Sequence, residues 1–164
     1  MNRSHALQSA LVGLTLASTA VQAATDTTTF QVTATVSDTC EITATDLAFG
    51  AYDPNSGVLD GTSTITATCT SGTNYDIGLD TGLNAANTTI TTRAMSDGGT
   101  NYLDYELYSD SGRTTVWGDS VGMDTVNQTS AGGEENHTVY GQIPASQFVL
   151  AGSYSDTINV TITY

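Results

Sequence analysis

Apolar and polar residues alternate at every second position in most of the patterned stretches of this chain. Phe30, Val32, Ala34 and Val36 interleave with Gln31, Thr33 and Thr35, and Ile158, Val160, Ile162 and Tyr164 interleave with Asn159, Thr161 and Thr163. A repeat of two puts one set on a single face, so Thr28 to Val36 and Thr157 to Tyr164 are predicted strands. The same signal predicts strands at Val36 to Ile42, Leu47 to Tyr52, Ser63 to Thr70, Tyr75 to Leu79, Tyr102 to Ser109, with Leu103, Tyr105 and Leu107 on its core face, and His137 to Ile143. Arg93 to Met95 reads as a short strand, Asn84 to Thr92 as a loop or edge strand, and Asp119 to Asn136 as a mobile surface loop. Asp53-Pro54-Asn55-Ser56-Gly57, Asp97-Gly98-Gly99 and Asp110-Ser111-Gly112 are turn clusters between them. No helical period of useful length intervenes, and a one-domain, all-β sandwich follows.

The leading residues change where that sandwich starts. Asn2 and Arg3, the apolar run Ala6 to Ala20 and the small-residue end Val21-Gln22-Ala23 have the form of a secretion signal, cut after Ala23 or Ala24. The expected division is 1-23 signal peptide, 24-36 arm and 37-164 sandwich domain, with Ser37 and Asp38 as the only break between arm and body. Export places Cys40 and Cys69 in an oxidising compartment, where they most simply form one disulfide.

Formal net charge is −14, without a single lysine. Arg93 and Arg113 are the fixed cations left once Arg3 is removed, so a nucleic-acid partner is excluded for want of clustered Lys and Arg. Candidate chemistry is equally sparse. His137 stands beside Glu134 and Glu135 without a second imidazole or a thiolate, and the acids include no Asp-x-Asp-x-Asp-Gly loop. Asp104 and Glu106 read as the solvated face of a strand rather than a catalytic pair. No catalytic residue, metal site or cofactor is assigned, and the expectation is a protein that is not an enzyme. A carbohydrate-binding sandwich would need exposed aromatics grouped on one face, for which Tyr102, Tyr108 and Trp117 are the candidates.

The arm holds four apolar side chains on one face with nothing of its own to cover them. Their burial would contribute about 5 to 8 kcal/mol at most. Ordering the backbone costs about 1 to 2 kcal/mol per residue, so a ladder of main-chain hydrogen bonds is needed as well. Two arrangements supply it: the arm pairs within its own chain as a first strand, or it adds to an exposed sheet edge of another copy.

The blocks T-F-Q-V-T-A-T-V-S-D-T-C, A-T-D-L-A-F-G-A-Y-D-P, I-T-A-T-C-T-S-G-T-N-Y-D-I-G-L-D-T-G, R-A-M-S-D-G-G-T-N-Y-L-D-Y-E-L-Y-S-D, H-T-V-Y-G-Q-I-P-A and A-G-S-Y-S-D-T-I-N-V-T-I-T-Y follow in that order. Together they resemble the spore coat protein U-like domain family of archaic chaperone–usher pilins. That resemblance implies an incomplete immunoglobulin-like β-sandwich lacking its last strand, with an N-terminal donor-strand arm. It implies Thr28, Phe30, Val32, Ala34 and Val36 as the donor strand, Ile158, Val160, Ile162 and Tyr164 as the last strand bordering an acceptor groove, and Cys40 with Cys69 as the disulfide. The Tyr164 carboxylate would anchor chaperone cations. The implied partners are further copies of the chain joined head to tail, a periplasmic chaperone, an outer-membrane usher and minor or tip subunits. The implied place is the cell surface, in a pilus serving attachment and biofilm formation, and an arm with no extra domain ahead of it favours the shaft subunit. A coat or matrix protein assembling without an usher is the alternative. The Glu134-Glu135 stretch fits none of this and receives no role.

Overall fold

The computed structural model describes residues 21–85 and 89–164, so the expected signal sequence lies almost wholly outside the described residues. The chain divides into a leading unit ending at Thr35 and a body from Val36 to Tyr164. Within the leading unit, residues 21–35 are exposed and belong to no ladder. The strand expected at Thr28 to Val36 is therefore absent: its alternation is real, but no neighbouring strand supplies the hydrogen bonds that would make it one.

In the body, β1 (Cys40–Ala44), β2 (Leu59–Cys69), β3 (Asn74–Leu79), β4 (Ala94–Ser96), β5 (Tyr102–Asp104), β6 (Glu106–Tyr108), β7 (Val126–Thr129), β8 (Gly133–Ile143) and β9 (Val160–Thr163) follow in order. One sheet has the order β1-β2-β8-β6, a second β7-β3-β9, and β4 and β5 form a two-stranded third, with Ser96 of β4 also bridged to Ser155. Every pairing is antiparallel. The β2–β8 ladder runs from Leu59↔Ile143 to Cys69↔Gly133 and forms the spine of the larger sheet. Ile65, Ala67, Leu107, Val139 and Ile143 on that sheet meet Tyr75, Ile77 and Leu79 of the smaller one in one buried core, which makes the body a sandwich.

Several boundaries differ from the sequence expectation. The first body strand starts at Cys40 rather than Val36, because Ser37 to Thr39 are tied to the β2–β3 turn instead. Thr70 Oγ1 donates to the Ser37 carbonyl at 3.3 Å, the Thr73 hydroxyl to Asp38 Oδ1 at 3.2 Å, and Thr70 N to the Thr39 carbonyl at 2.9 Å. Leu47 to Tyr52 joins no ladder among the described residues. Tyr102 to Ser109 is two strands: β5 pairs with β4 and β6 with β8, and the chain changes partner at Tyr105, whose N–H donates to the Arg93 carbonyl at 3.0 Å. The expected loop from Asp119 to Asn136 contains β7 and the first turn of pairing in β8. Only Val160–Thr163 of the last expected strand joins a ladder, opposite β3.

Candidate functional site

β1 closes one edge of the larger sheet and β9 one edge of the smaller, and the two pack against each other at one end of the sandwich. Beside them lies a groove made of two cavities. Its first part is a cavity of about 500 Å³ with Ile65, Leu79, Leu107 and Val139 in its lining and Ile158 and Val160 at its edge. The second, of about 700 Å³, lies among Tyr52, Leu103, Ile143, Val149 and Leu150. The lining is largely core residue side chain, so the groove opens directly into the interior of the sandwich.

Both rims lack the bonds a sheet edge would normally share. Among the described residues, 46–52 on one rim and 156–158 on the other make no hydrogen bond from main chain to main chain. Side-chain carboxylates fix the second rim instead. Asp156 Oδ2 accepts the Tyr105 hydroxyl at 2.8 Å, and its Oδ1 accepts Leu83 N at 2.9 Å and Asn84 Nδ2 at 3.0 Å. Asp80 accepts Asn159 N at 3.0 Å and Asn159 Nδ2 at 2.6 Å. A strand laid between the rims would meet free donors and acceptors on both sides above an apolar floor.

Of the residues singled out in the sequence, Ile158 and Val160 line the groove and Ile162 is half-buried opposite Ile77. Tyr164 is exposed and lines neither cavity. Thr28, Phe30, Val32, Ala34 and Val36 are all exposed, with Phe30 at 86%, Val32 at 81% and Val36 at 80%. Cys40 and Cys69 are disulfide-bonded across the β1–β2 ladder, where they stand opposite each other. Trp117 is buried, its indole N–H donating to the Ile77 carbonyl at 2.8 Å, so it joins Tyr102 and Tyr108 in no exposed aromatic platform.

Three polar features escaped the sequence. Arg93 is wholly buried, and its guanidinium donates to the carbonyls of Leu79 and Asp80, at 2.9 and 2.7 Å from Nη2, and of Trp117 at 2.7 Å. It thereby fixes the end of β3 beneath the groove. Glu106, expected on a solvated face, is half-buried, and burial pushes its carboxyl up to about 7 against the opposing pull of the Arg93 charge. Arg93 Nη1 and Glu106 Oε2 are both buried without a hydrogen-bond partner. Finally, Glu135 and His137 share the inward face of β8 with Val139. The Tyr75 hydroxyl, from the other sheet, donates to Glu135 Oε2 at 2.8 Å and lies 2.8 Å from His137 Nε2. Burial lowers the His137 pKa, while hydrogen bonds from the Ala131 amide and Tyr75 lower that of Glu135. Glu135, which the sequence leaves without a role, forms with His137 and Tyr75 a polar clamp between the sheets.

Comparison with known proteins agrees with this architecture. A sequence model of the Spore Coat Protein U domain matches residues 26–161. Protein U of Myxococcus xanthus is 34% identical over 179 aligned positions, covering 98% of this chain and 99% of that protein. Among solved structures, the fold is similar to a chain in the crystal structure of the CsuC-CsuE chaperone-tip adhesion subunit pre-assembly complex, from archaic chaperone-usher Csu pili of Acinetobacter baumannii. The TM-score is 0.59 at 24% identity, and the likeness covers 79% of this chain but only 40% of that one.

Proposed function

Because the chain belongs to the Spore Coat Protein U domain family, we propose that it is a structural subunit of a chaperone–usher pilus, in which the arm of one copy completes the sandwich of the next. The observation that carries this reading is the pairing of two unsatisfied features in one sequence. The groove has two unpaired rims over an apolar floor, and the arm has Phe30, Val32, Ala34 and Val36 alternating and exposed. Each lacks what the other has. Thr28 and Val36 bound the donor strand, while Ile158, Val160, Ile162 and Tyr164 belong to the acceptor side.

Donor and acceptor are different surfaces of one molecule, so the contact repeats without closing and the product is a fibre. On this reading the subunit forms the shaft. A periplasmic chaperone shields the groove in transit, an outer-membrane usher exchanges chaperone for arm, minor or tip subunits join the same way, and the surface pilus serves attachment and biofilm formation. Its work is mechanical rather than enzymatic. The full-length match to a protein of a spore-coat family supports a second reading, in which the same polymer builds a coat or matrix without an usher.

Removing Ala24 to Ala34 tests the shared core of both. The shortened subunit should fold with the chaperone and remain a chaperone-bound monomer. Fibres formed without these residues would show that the arm is not the donor, and fibres formed by the intact chain in cells lacking an usher would favour the coat reading.

A further inference from the structure

The groove is not continuous. Leu47, Phe49, Met95 and Tyr154 line both of its cavities and so stand between them. Leu47 and Phe49 press onto the larger sheet where β2 and β8 pair two glycines, Gly61 and Gly141. A Cβ added at Gly141 would lie 2.7 Å from Phe49 Cζ and 2.8 Å from Leu47 Cδ1, and one added at Gly61 would lie 3.0 Å from Leu47 Cδ2 and from Phe49 Cδ1. The separations at Gly141 are shorter than carbon atoms tolerate and those at Gly61 are tight enough to need a small shift, so the two adjacent strands are bare where the two side chains sit. Alternation carries Leu47 and Phe49 into this notch together, with Ala48 between them.

Their segment is tied at its two ends, where Thr45 N donates to the Thr64 carbonyl at 2.9 Å and the Tyr52 hydroxyl donates to the Pro144 carbonyl at 2.8 Å and accepts from Gln147 N at 2.9 Å. Between them, residues 46–51 make no hydrogen bond among the described residues. Residues 46–52 form no main-chain ladder, and the edge contact of the Phe49 ring with Tyr105, at 6.2 Å between centroids, is a packing contact. The facing rim is anchored through Asp80 and Asp156. One side of the groove is therefore fixed through carboxylates, and the other is held between Thr45 and Tyr52 by apolar side chains alone, which places that short stretch among the segments that open most easily.

We propose that Leu47 and Phe49 are a displaceable gate: seated in the Gly61–Gly141 notch they divide the groove of an unfilled subunit, and the arm of a second copy must lift them to run from one cavity into the other. This inference rests on the strand-addition reading above. An acceptor gated in this way binds its donor with an apparent affinity reduced by the fraction of molecules whose gate is open.

The test uses the full mature chain carrying Val32→Asp, which disables its own arm, as acceptor. A fluorescent synthetic peptide of residues 24–38 is the donor, and capture is followed by anisotropy. Phe49→Ala empties the gate. Gly141→Ala fills its seat with a methyl group while keeping every groove side chain. Each should raise the association rate about tenfold, with little change in dissociation, as expected when the open population grows. Association at the parent rate or slower in Gly141→Ala, with an unchanged circular-dichroism spectrum and melting temperature, overturns the gate. That variant decides the matter if Phe49→Ala fails to fold. No peptide capture by the parent acceptor refutes strand addition itself and takes the gate with it.

Discussion

Val32→Asp separates the stability of the subunit from its ability to assemble. In the isolated chain Val32 is 81% exposed and in no ladder, so a carboxylate there changes stability by no more than about 0.5 kcal/mol. On the strand-addition reading the same position of an assembled fibre enters the groove, whose first cavity has Ile65, Leu79, Leu107 and Val139 in its lining. The substitution then loses about 2 kcal/mol of side-chain burial and adds a desolvation penalty of several kcal/mol for a charge without a partner. A total near 5 kcal/mol lowers the assembly constant by about three to four orders of magnitude. Thermal melting of the monomer and sedimentation of the assembled material read the two quantities separately. Normal melting with assembly abolished is the expected result; fibres of normal length from Val32→Asp would refute the pocket assignment.

Three further outcomes follow from the body. Replacing Cys40 and Cys69 with serine should cost about 3 to 4 kcal/mol by the loop-entropy relation, seen as a lower urea midpoint, and thiol alkylation should leave the intact wild-type mass unchanged. Glu106 holds its proton in the fold up to about pH 7, whereas the unfolded chain releases it in the ordinary carboxylate range. Its contribution is thus full below that range and is lost as pH rises through 7. Glu106→Gln should accordingly stabilise the protein at pH 8 more than at pH 4, by about 1 kcal/mol once solvent screening is allowed for, and an equal effect at both would contradict the assignment. Tyr75→Phe removes the hydroxyl that joins β3 to Glu135 and His137 and should cost about 1 kcal/mol, with the melting temperature as readout.

The legible parts of the fold are those where alternation and burial coincide. Ile65, Ala67 and Cys69 in β2, Tyr75, Ile77 and Leu79 in β3, and Val139 in β8 are inward-facing positions that the period of two identifies, and all are buried. Alternation reports a face and not a partner. Hence Thr28 to Val36 and Leu47 to Tyr52 read as strands although, among the described residues, neither joins a ladder. For the same reason the period runs unbroken through Tyr105 while the chain changes sheets. The start of β8 was hidden because its inward positions hold Glu135 and His137, polar residues that break the apolar pattern and are satisfied only by Tyr75 from the other sheet. Arg93 counted as one cation on an acidic chain, and its burial depends on three carbonyls that sequence spacing does not bring together. The period of two gives Ile158 and Val160 a face, and the resemblance alone puts that face at a groove, whose first cavity they line. The opposite rim, from residue 46 to 52, carried no signal that it would stand apart.

Amide hydrogen exchange on residues 28–36, compared between monomer and assembled material, tests strand addition most directly. These amides are exposed and unpaired in the subunit and should exchange at near free-peptide rates there. In the fibre they should become protected to the level of the β2–β8 ladder, together with the rims at 46–52 and 156–158. Rapid exchange of residues 28–36 in fully assembled fibres would contradict the account.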